Sequence, residues 1–342
     1  MDTRPGLNPH RLAALIRQAV RRLDLDLSGL TVLTEAASGT YVVTPLIAAA
    51  AGAEKVYALA RSTRYGSIED VTGQTLRQAR LLGIESRLEI ITQNTPEIIA
   101  AADVITNTGH LRPIDAAMVA HMKPTAVVPL MYEAWEFRAG DVDLEACRAR
   151  GILVAGTNEC HADVDMFSFL GPMAVQQLLD AGVCPYLSSV LLLCNNAFRP
   201  YMERGLRAAG ARLDVRPEWG ALADGAEYDA IICALTPRPE PVLGAAHAAA
   251  IAEQCPGCVV TQYWGDIDRA AFDRAGVPMW PPQPPPQGHM GMLPSGPGPE
   301  PVVRLQSGGL KVGEVLARRA FARDGEYIQM LNDLAQAGTH AA

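Results

Sequence analysis

Hydrophobic positions along the chain follow two periods in turn. Residues 8–23 place apolar side chains at helical spacing with basic residues between them, which predicts an amphipathic helix whose arginines form its solvated face. Residues 30–36 then read as a strand, Thr44–Ala51 as an apolar helix, Lys55–Ala60 as a strand, Val71–Leu82 as a helix and Leu88–Thr92 as a strand. Pro96–Ala101, Val104–Thr106, Ile114–His121 and Ala126–Met131 continue as helix, strand, helix and strand, and Ile152–Ala155 adds one more strand. Strands separated by helix-length segments imply crossovers and a parallel sheet covered on both faces.

After that strand comes the polar turn 157–163, then a mostly apolar run predicted as one long helix over 162–182. The alternation restarts at 188–194. Arg199–Ala209 is expected as a helix, Arg212–Val215 and Ala230–Leu235 as strands, Ala245–Glu253 as a helix and Val259–Gln262 as a strand. Residues 281–301 are too rich in proline and glycine for a helix or central strand and read as an extended loop, a lid or binding-loop candidate. Helices at Gly313–Arg323 and Tyr327–Gln336 close the chain.

The fold expected is therefore α/β: two tandem Rossmann-like, doubly wound parallel-sheet domains joined by a long interdomain helix. The boundaries are 1–160, a hinge helix within 161–187, and 188–342 with the proline-rich loop. The length of 342 residues agrees with two domains. Net charge −8 offers no general attraction to phosphate backbones or anionic membranes, so the partner expected is a small-molecule substrate, not nucleic acid or membrane. A homo-oligomer, taken as a homodimer, is expected. Seven scattered cysteines without an export signal read as reduced thiols of a cytoplasmic protein. The lone Cys255-Pro-Gly-Cys258 reads as a turn before it reads as a redox or metal motif.

Ligands of parallel sheets sit beyond the carboxyl ends of the strands, so the turns there carry the candidate chemistry. After the first strand, Ser38, Gly39, Thr40 and Tyr41 are candidates to present amides and hydroxyls to a phosphate or carboxylate. After the second, Arg61 and Arg64 suit a 2′-phosphate. The first turn of the second half has no glycine, which makes ordinary dinucleotide binding there doubtful, and leaves Asn195 and Asn196 as hydrogen-bonding candidates. Tyr132, Glu133, Asn158, Arg238 and Trp264 follow other strands and are substrate candidates. Glu159, His161 and His289 are the candidate acid–base groups, a histidine near carboxylates being able to move a proton near neutral pH. His161 and Asp163 lack a nearby third ligand, so no metal is expected.

The stretch Asp143–Asp180, DLEACRARGILVAGTNECHADVDMFSFLGPMAVQQLLD, resembles the interdomain junction of the D-isomer-specific 2-hydroxyacid dehydrogenases, and residues 188–290 resemble that family more weakly. The resemblance implies NAD(P) and an Arg, a Glu and a His at an interdomain cleft. Tyr263-Trp264 stand where the arginine is expected, His289 stands for the histidine, and no glycine-rich fingerprint is present at 194–199. Residues 30–131, with GAEKVYALARS and MKPTAVVP, resemble a class I S-adenosylmethionine-dependent methyltransferase, although Arg61 or its neighbour Ala60 stands at that family's acidic position. The leading expectation is an NAD(P)-dependent, dehydrogenase-like enzyme acting on a small carboxylate or phosphorylated substrate. The alternatives are a transferase or lyase using S-adenosylmethionine, or a binding protein with decayed cofactor sites.

Overall fold

The computed structural model describes residues 4–220 and 227–332. It divides into two compact units, residues 1–166 with 298–342, and residues 167–297. The expected split at 160 and 188, with everything after 188 in the second domain, is corrected at the far end. The chain returns to unit 1 at residue 298.

Unit 1 opens with α1 (Pro9–Arg22), capped by Asn8 and with Leu12, Ala13, Ile16 and Ala19 buried at helical spacing. Then follow β1 (Thr31–Ala36), α2 (Val43–Ala50), β2 (Lys55–Ala60), α3 (Ile68–Leu82), β3 (Leu88–Ile91), α4 (Pro96–Ala101) and β4 (Val104–Ile105). A capping box of Ser67 and Asp70 starts α3, and Gly83 in the left-handed region ends it, which removes the steric cost a side chain would meet there. Next come α5 (Ala116–His121), β5 (Val127–Pro129), α6 (Leu144–Ala149) and β6 (Leu153–Thr157).

Unit 2 comprises α7 (Leu170–Asp180), β7 (Ser189–Leu193), α8 (Arg199–Ala208), β8 (Arg212–Arg216), β9 (Ala230–Ala234), α9 (Ala245–Gln254), β10 (Val259–Trp264), α10 (Arg269–Arg274) and β11 (Met279–Trp280). The returning segment adds α11 (Glu300–Arg318), α12 (Phe321–Asp324) and β12 (Ile328–Met330) to unit 1.

Three sequence expectations change here. The long helix over 162–182 is an 11-residue α7 preceded by tight turns, with the Asp165 N–H bonded to the His161 carbonyl and Asp165 itself at φ 47°. A residue in the left-handed region ends helical propagation, so the helix cannot start at 162. The helix expected at 313–323 begins instead at Glu300, because Pro301 occupies its first turn, where the missing N–H costs nothing. Of the helix expected at 327–336, Tyr327 ends a short 3-10 turn and Ile328–Met330 form the strand β12; residues 333–336 lie outside the described residues.

The unit 1 sheet runs β12-β6-β5-β4-β1-β2-β3, parallel except for β12, which pairs antiparallel with β6. Without that edge strand the order is 3-2-1-4-5-6, the arrangement of dinucleotide folds, whose ligand crevice lies where the order reverses, between β1 and β4. Unit 2 has five parallel strands in the order β11-β10-β9-β7-β8, that is 2-1-3-4-5 within the unit, and its reversal lies between β7 and β9. On one face of sheet 1, Leu33, Leu59, Ile105, Val128 and Val154 pack with residues of the α4–α6 region. Near the other face, α11 carries Gly308, Gly309 and Gly313 close to Thr157, Met131 and Val104. A Cβ on Gly313 would stand 2.7 Å from Val104, so glycine is what lets the helix approach.

Candidate active site at the strand-order reversal of unit 1

The carboxyl ends of β1 and β4 bring together residues 75 positions apart. Glu35, next to last in β1, accepts the His110 backbone N–H on Oε2 at 2.9 Å. The His110 ring places Nδ1 3.1 Å from the Leu59 carbonyl and 3.9 Å from Glu35 Oε2. A carbonyl only accepts, so Nδ1 carries the hydrogen, and in the neutral ring Nε2 is the open acceptor. Beneath this turn the hydroxyls of Thr34, Thr106 and Thr108 form a buried chain, at 2.8 and 3.0 Å. Asn107 accepts the Met131 N–H on Oδ1 at 2.8 Å, while its buried Nδ2 meets no acceptor.

The row continues along the same sheet edge. Arg112 Nη1 and the Tyr132 hydroxyl both donate to Asp141 Oδ2, at 3.0 and 2.7 Å. Burial, followed by the Asp141 contact, raises the Tyr132 hydroxyl above its ordinary range, so it stays a donor. Next to it lie three glutamates. Glu133 takes the donors: the Trp135 indole N–H, the Glu159 backbone N–H at 3.1 Å and the Gln329 amide at 3.4 Å. Burial first, then the neighbouring Glu133 charge, pushes the Glu136 carboxyl up to about 7 against the pull of Arg138. Burial, then Glu136 and Glu133, likewise raises Glu159 well above the usual carboxylate range. The local chain shape depends on Gly156, since a Cβ there would stand 2.5 Å from the Ala134 nitrogen.

Of the sequence candidates, this edge gathers Tyr132, Glu133, Asn158 and Glu159. Asn158 is bound to the returning chain, its Nδ2 donating to the Glu326 carbonyl at 2.8 Å. His161 lies beside the same segment, with Nε2 3.1 Å from Glu326 and its ring stacked 3.9 Å from Tyr327. Both contacts are ones a structural tether makes.

In the turn after β1, Gly39 stands at φ 63° with open space around its Cβ position, but its N–H donates to Gln74 Oε1 at 3.2 Å. Ser38 makes no capping bond, Thr40 is buried, and burial raises the Tyr41 hydroxyl to about 12. After β2, Arg61 is exposed, and Arg64 lies over the Tyr65 ring at 4.7 Å.

The reversal in unit 2 is closed by its own side chains. Asn195 Oδ1 accepts the Thr236 N–H at 2.9 Å; Asn196 donates to the Ala234 carbonyl at 2.8 Å and accepts the Phe198 N–H at 3.1 Å. Both asparagines join the β7 turn to the β9 turn. Arg238 donates to the nearby Val242 carbonyl, and the Trp264 indole donates to the Gly288 carbonyl at 3.1 Å.

His289 lies in the proline-rich segment, its N–H bonded to the Pro286 carbonyl. That segment is fastened to β10 and its flank: the Gly291 N–H donates to the Tyr263 carbonyl, Gln177 to the Gly291 carbonyl, Gly288 to Asp266 and Arg269 to the Pro281 carbonyl. It is a strap on unit 2. Cys255 and Cys258 close α9 at its C-terminal end, where burial raises both thiols, Cys258 to about 12. That is the opposite of what a redox thiolate needs.

A dinucleotide is the group that the unit 1 strand order implies. The residues fit it at the ribose end, where Arg61 and Arg64 are open to solvent, and in the left-handed Gly39 turn. They fit the pyrophosphate less well, because the Gly39 N–H is taken and the Glu35 carboxylate stands nearby. Unit 2 does not fit it. Among the described residues no group of three or more side chains is placed to hold a metal, and no helix is long and apolar enough to cross a membrane.

The group at Glu35, Asn107, His110, Arg112 and Asp141 is absent from the sequence candidates. Its one signal along the chain is the polar run Thr106–Arg112 immediately after a predicted strand.

No protein-family model and no curated protein matches the chain. Solved structures do. A dipicolinate synthase subunit from Bacillus halodurans is similar over 86% of this chain and 98% of its own, at 12% identity and a TM-score of 0.51. The corresponding dipicolinate synthase chain from Bacillus subtilis is similar over 89% and 99%, at 12% identity and 0.51. NAD+-bound 3-phosphoglycerate dehydrogenase of Entamoeba histolytica covers 90% and 99% at 10% identity, with a TM-score of 0.40. The likeness to the two synthases is one of fold: two Rossmann-like α/β units, the architecture that the dehydrogenase-like junction implied.

Proposed function

We propose that the chain is a dehydrogenase-like enzyme acting on a small carboxylate, with its chemistry in unit 1 rather than at His289. The observation that carries this reading is that the 3-2-1-4-5-6 strand order and the Glu35–His110–Arg112 group coincide at one reversal point. NAD(P) is the cofactor proposed, held by Arg61, Arg64 and the Ser38–Tyr41 turn, and when bound it would supply the hydride acceptor or donor.

The side chains supply the rest. His110 Nε2 is the acceptor for a substrate proton, held by the Nδ1–Leu59 bond so that only one nitrogen faces that task. Arg112, anchored through Asp141, orients a carboxylate. Tyr132, kept protonated, donates to Asp141 and stiffens that anchor. Glu136 and Glu159 hold protons beside Glu133, so Glu159 keeps its proposed acid–base role, whereas His161 is assigned to the tether.

Calorimetry with NADPH, NADP+ and NADH decides the reading. Binding that weakens for NADPH on Arg61→Ala is the expected result, and absence of binding at millimolar cofactor removes the proposal. S-adenosylmethionine in a parallel thermal-shift series tests the transferase alternative, which is favoured if it alone saturates.

A further inference from the structure

We infer that the ligand of the unit 1 crevice carries an ammonium group beside its carboxylate, so that the site suits an α-amino acid better than a 2-hydroxy acid or a phosphorylated compound. The inference deepens the reading above and rests on the placement of that site, not on its cofactor. Glu35 is only 8% exposed. Its Oε2 accepts the His110 N–H, and among the described residues no hydrogen bond reaches Oε1. That oxygen is open to solvent in the crevice, where a cationic donor can reach it and make a charge-assisted bond.

Arg112 supplies the opposite charge. Its Nη1 is committed to Asp141, while Nη2 lies 3.8 Å from the point where a Cβ on the exposed Gly109 would stand. Glu35 Oε2 lies 3.5 Å from that same point. The two groups are therefore no more than 7.3 Å apart, the sum of those distances, yet they form no ion pair within 4.0 Å. A gap between those limits matches the span of an α-amino acid whose ammonium and carboxylate each take a charge-assisted bond of about 2.7–2.9 Å.

Asn107 adds an independent observation. It is 1% exposed, its amide orientation is set by the Met131 N–H, and its Nδ2 has no acceptor. The bonds from Thr106 N to Leu33 O and from Asn107 N to Pro129 O continue the β4 alternation. Asn107 thus follows Ile105 on the sheet face that Glu35 follows from Leu33, and Leu33 and Ile105 share one core. A buried donor without a partner and an open carboxylate oxygen on the same sheet face complement a ligand bearing both an acceptor and a donor.

Charge then selects among such ligands. Glu35 and Arg112 present opposite charges to the ligand, which favours a zwitterion over a phosphate ester.

The test is calorimetry on the full chain with D- and L-alanine, serine and aspartate against lactate, glycerate and malate. At least one amino acid is expected to bind about tenfold or more tightly than its hydroxy counterpart. Glu35→Gln, which keeps an acceptor for the His110 N–H, should remove that preference while leaving the hydroxy acid unchanged or improved. Equal or tighter binding of the hydroxy acids, no amino acid binding in the millimolar range, or unchanged preference in Glu35→Gln overturns the inference. If Glu35→Gln does not fold, the paired comparison on the unsubstituted chain still decides. NADPH titrated in the same series separates the two readings: cofactor binding without an amino-acid preference refutes only the inference, and the reverse refutes only the cofactor.

Discussion

Replacing Gly205 by alanine should destabilise unit 2, although alanine is the better helix former. On α8, a Cβ at Gly205 would stand 2.5 Å from the Gly171 Cα and 2.7 Å from its carbonyl carbon on α7. Carbon–carbon contacts settle at about 3.5–4.0 Å, so the two helices must part by about 1 Å, and a gap of that size forfeits about a quarter to a half of each dispersion contact. Backbone faces backbone, so no rotamer change relieves the strain, and the cost belongs near the upper end of the roughly 1–3 kcal/mol typical of overpacking. Exchanging a helical glycine for alanine returns about 1 kcal/mol. The net expectation is a loss of about 2 kcal/mol.

Gly73 on α3 is the control, because a Cβ there meets only the Nη1 of Arg77 at 3.1 Å, the free end of a flexible side chain. Gly73→Ala should therefore stabilise by about 0.5–1 kcal/mol. Urea unfolding followed by tryptophan fluorescence reads the α7–α8 change well, since Trp219, Trp264 and Trp280 all lie in unit 2 and only Trp135 in unit 1. The double variant Gly171→Ala with Gly205→Ala should cost less than the sum of the singles, because the second methyl enters a gap already opened. A Gly205→Ala chain as stable as the original would refute the close-crossing argument.

Three further outcomes follow from the geometry. Glu136, raised to about 7 from 4.5, binds a proton in the folded state that the unfolded chain releases; its stabilisation is complete below 4.5 and is lost as pH rises through about 7. Unfolding measured across that window should flatten in Glu136→Gln, and an unchanged slope would count against the buried carboxyl. Asn196→Ala removes the bonds that join the β7 and β9 turns and should cost about 1–3 kcal/mol in urea unfolding. It should leave NADPH affinity unchanged, and a loss of affinity would move the cofactor to unit 2. Gly291→Ala would place a Cβ 1.9 Å from the Gln262 carbonyl oxygen, so limited proteolysis within 281–297 should accelerate; equal resistance would show that the strap is not held there.

The residue pattern by itself determined the α/β alternation, because periods of two and of about 3.6 are local consequences of strand and helix geometry. It likewise exposed the missing glycine-rich fingerprint at Cys194–Arg199, since close backbone approach is written in glycine. What it left out depends on contacts distant in sequence. Leu153–Thr157 and Ile328–Met330 are far apart in the chain, and their pairing, with the packing of α11 near Thr157, Met131 and Val104, shows that residues 298–332 belong to unit 1 and that 328–330 is a strand. The order of strands within each sheet is equally invisible to local periodicity, and it puts a reversal between β1 and β4, on which the proposed function rests. Glu35 and His110 carry no mutual signal along the chain. They meet because β1 and β4 are neighbours in the sheet, and burial of that edge, a property of the assembled unit, is what leaves the ordinary amide of Asn107 with an unmet donor.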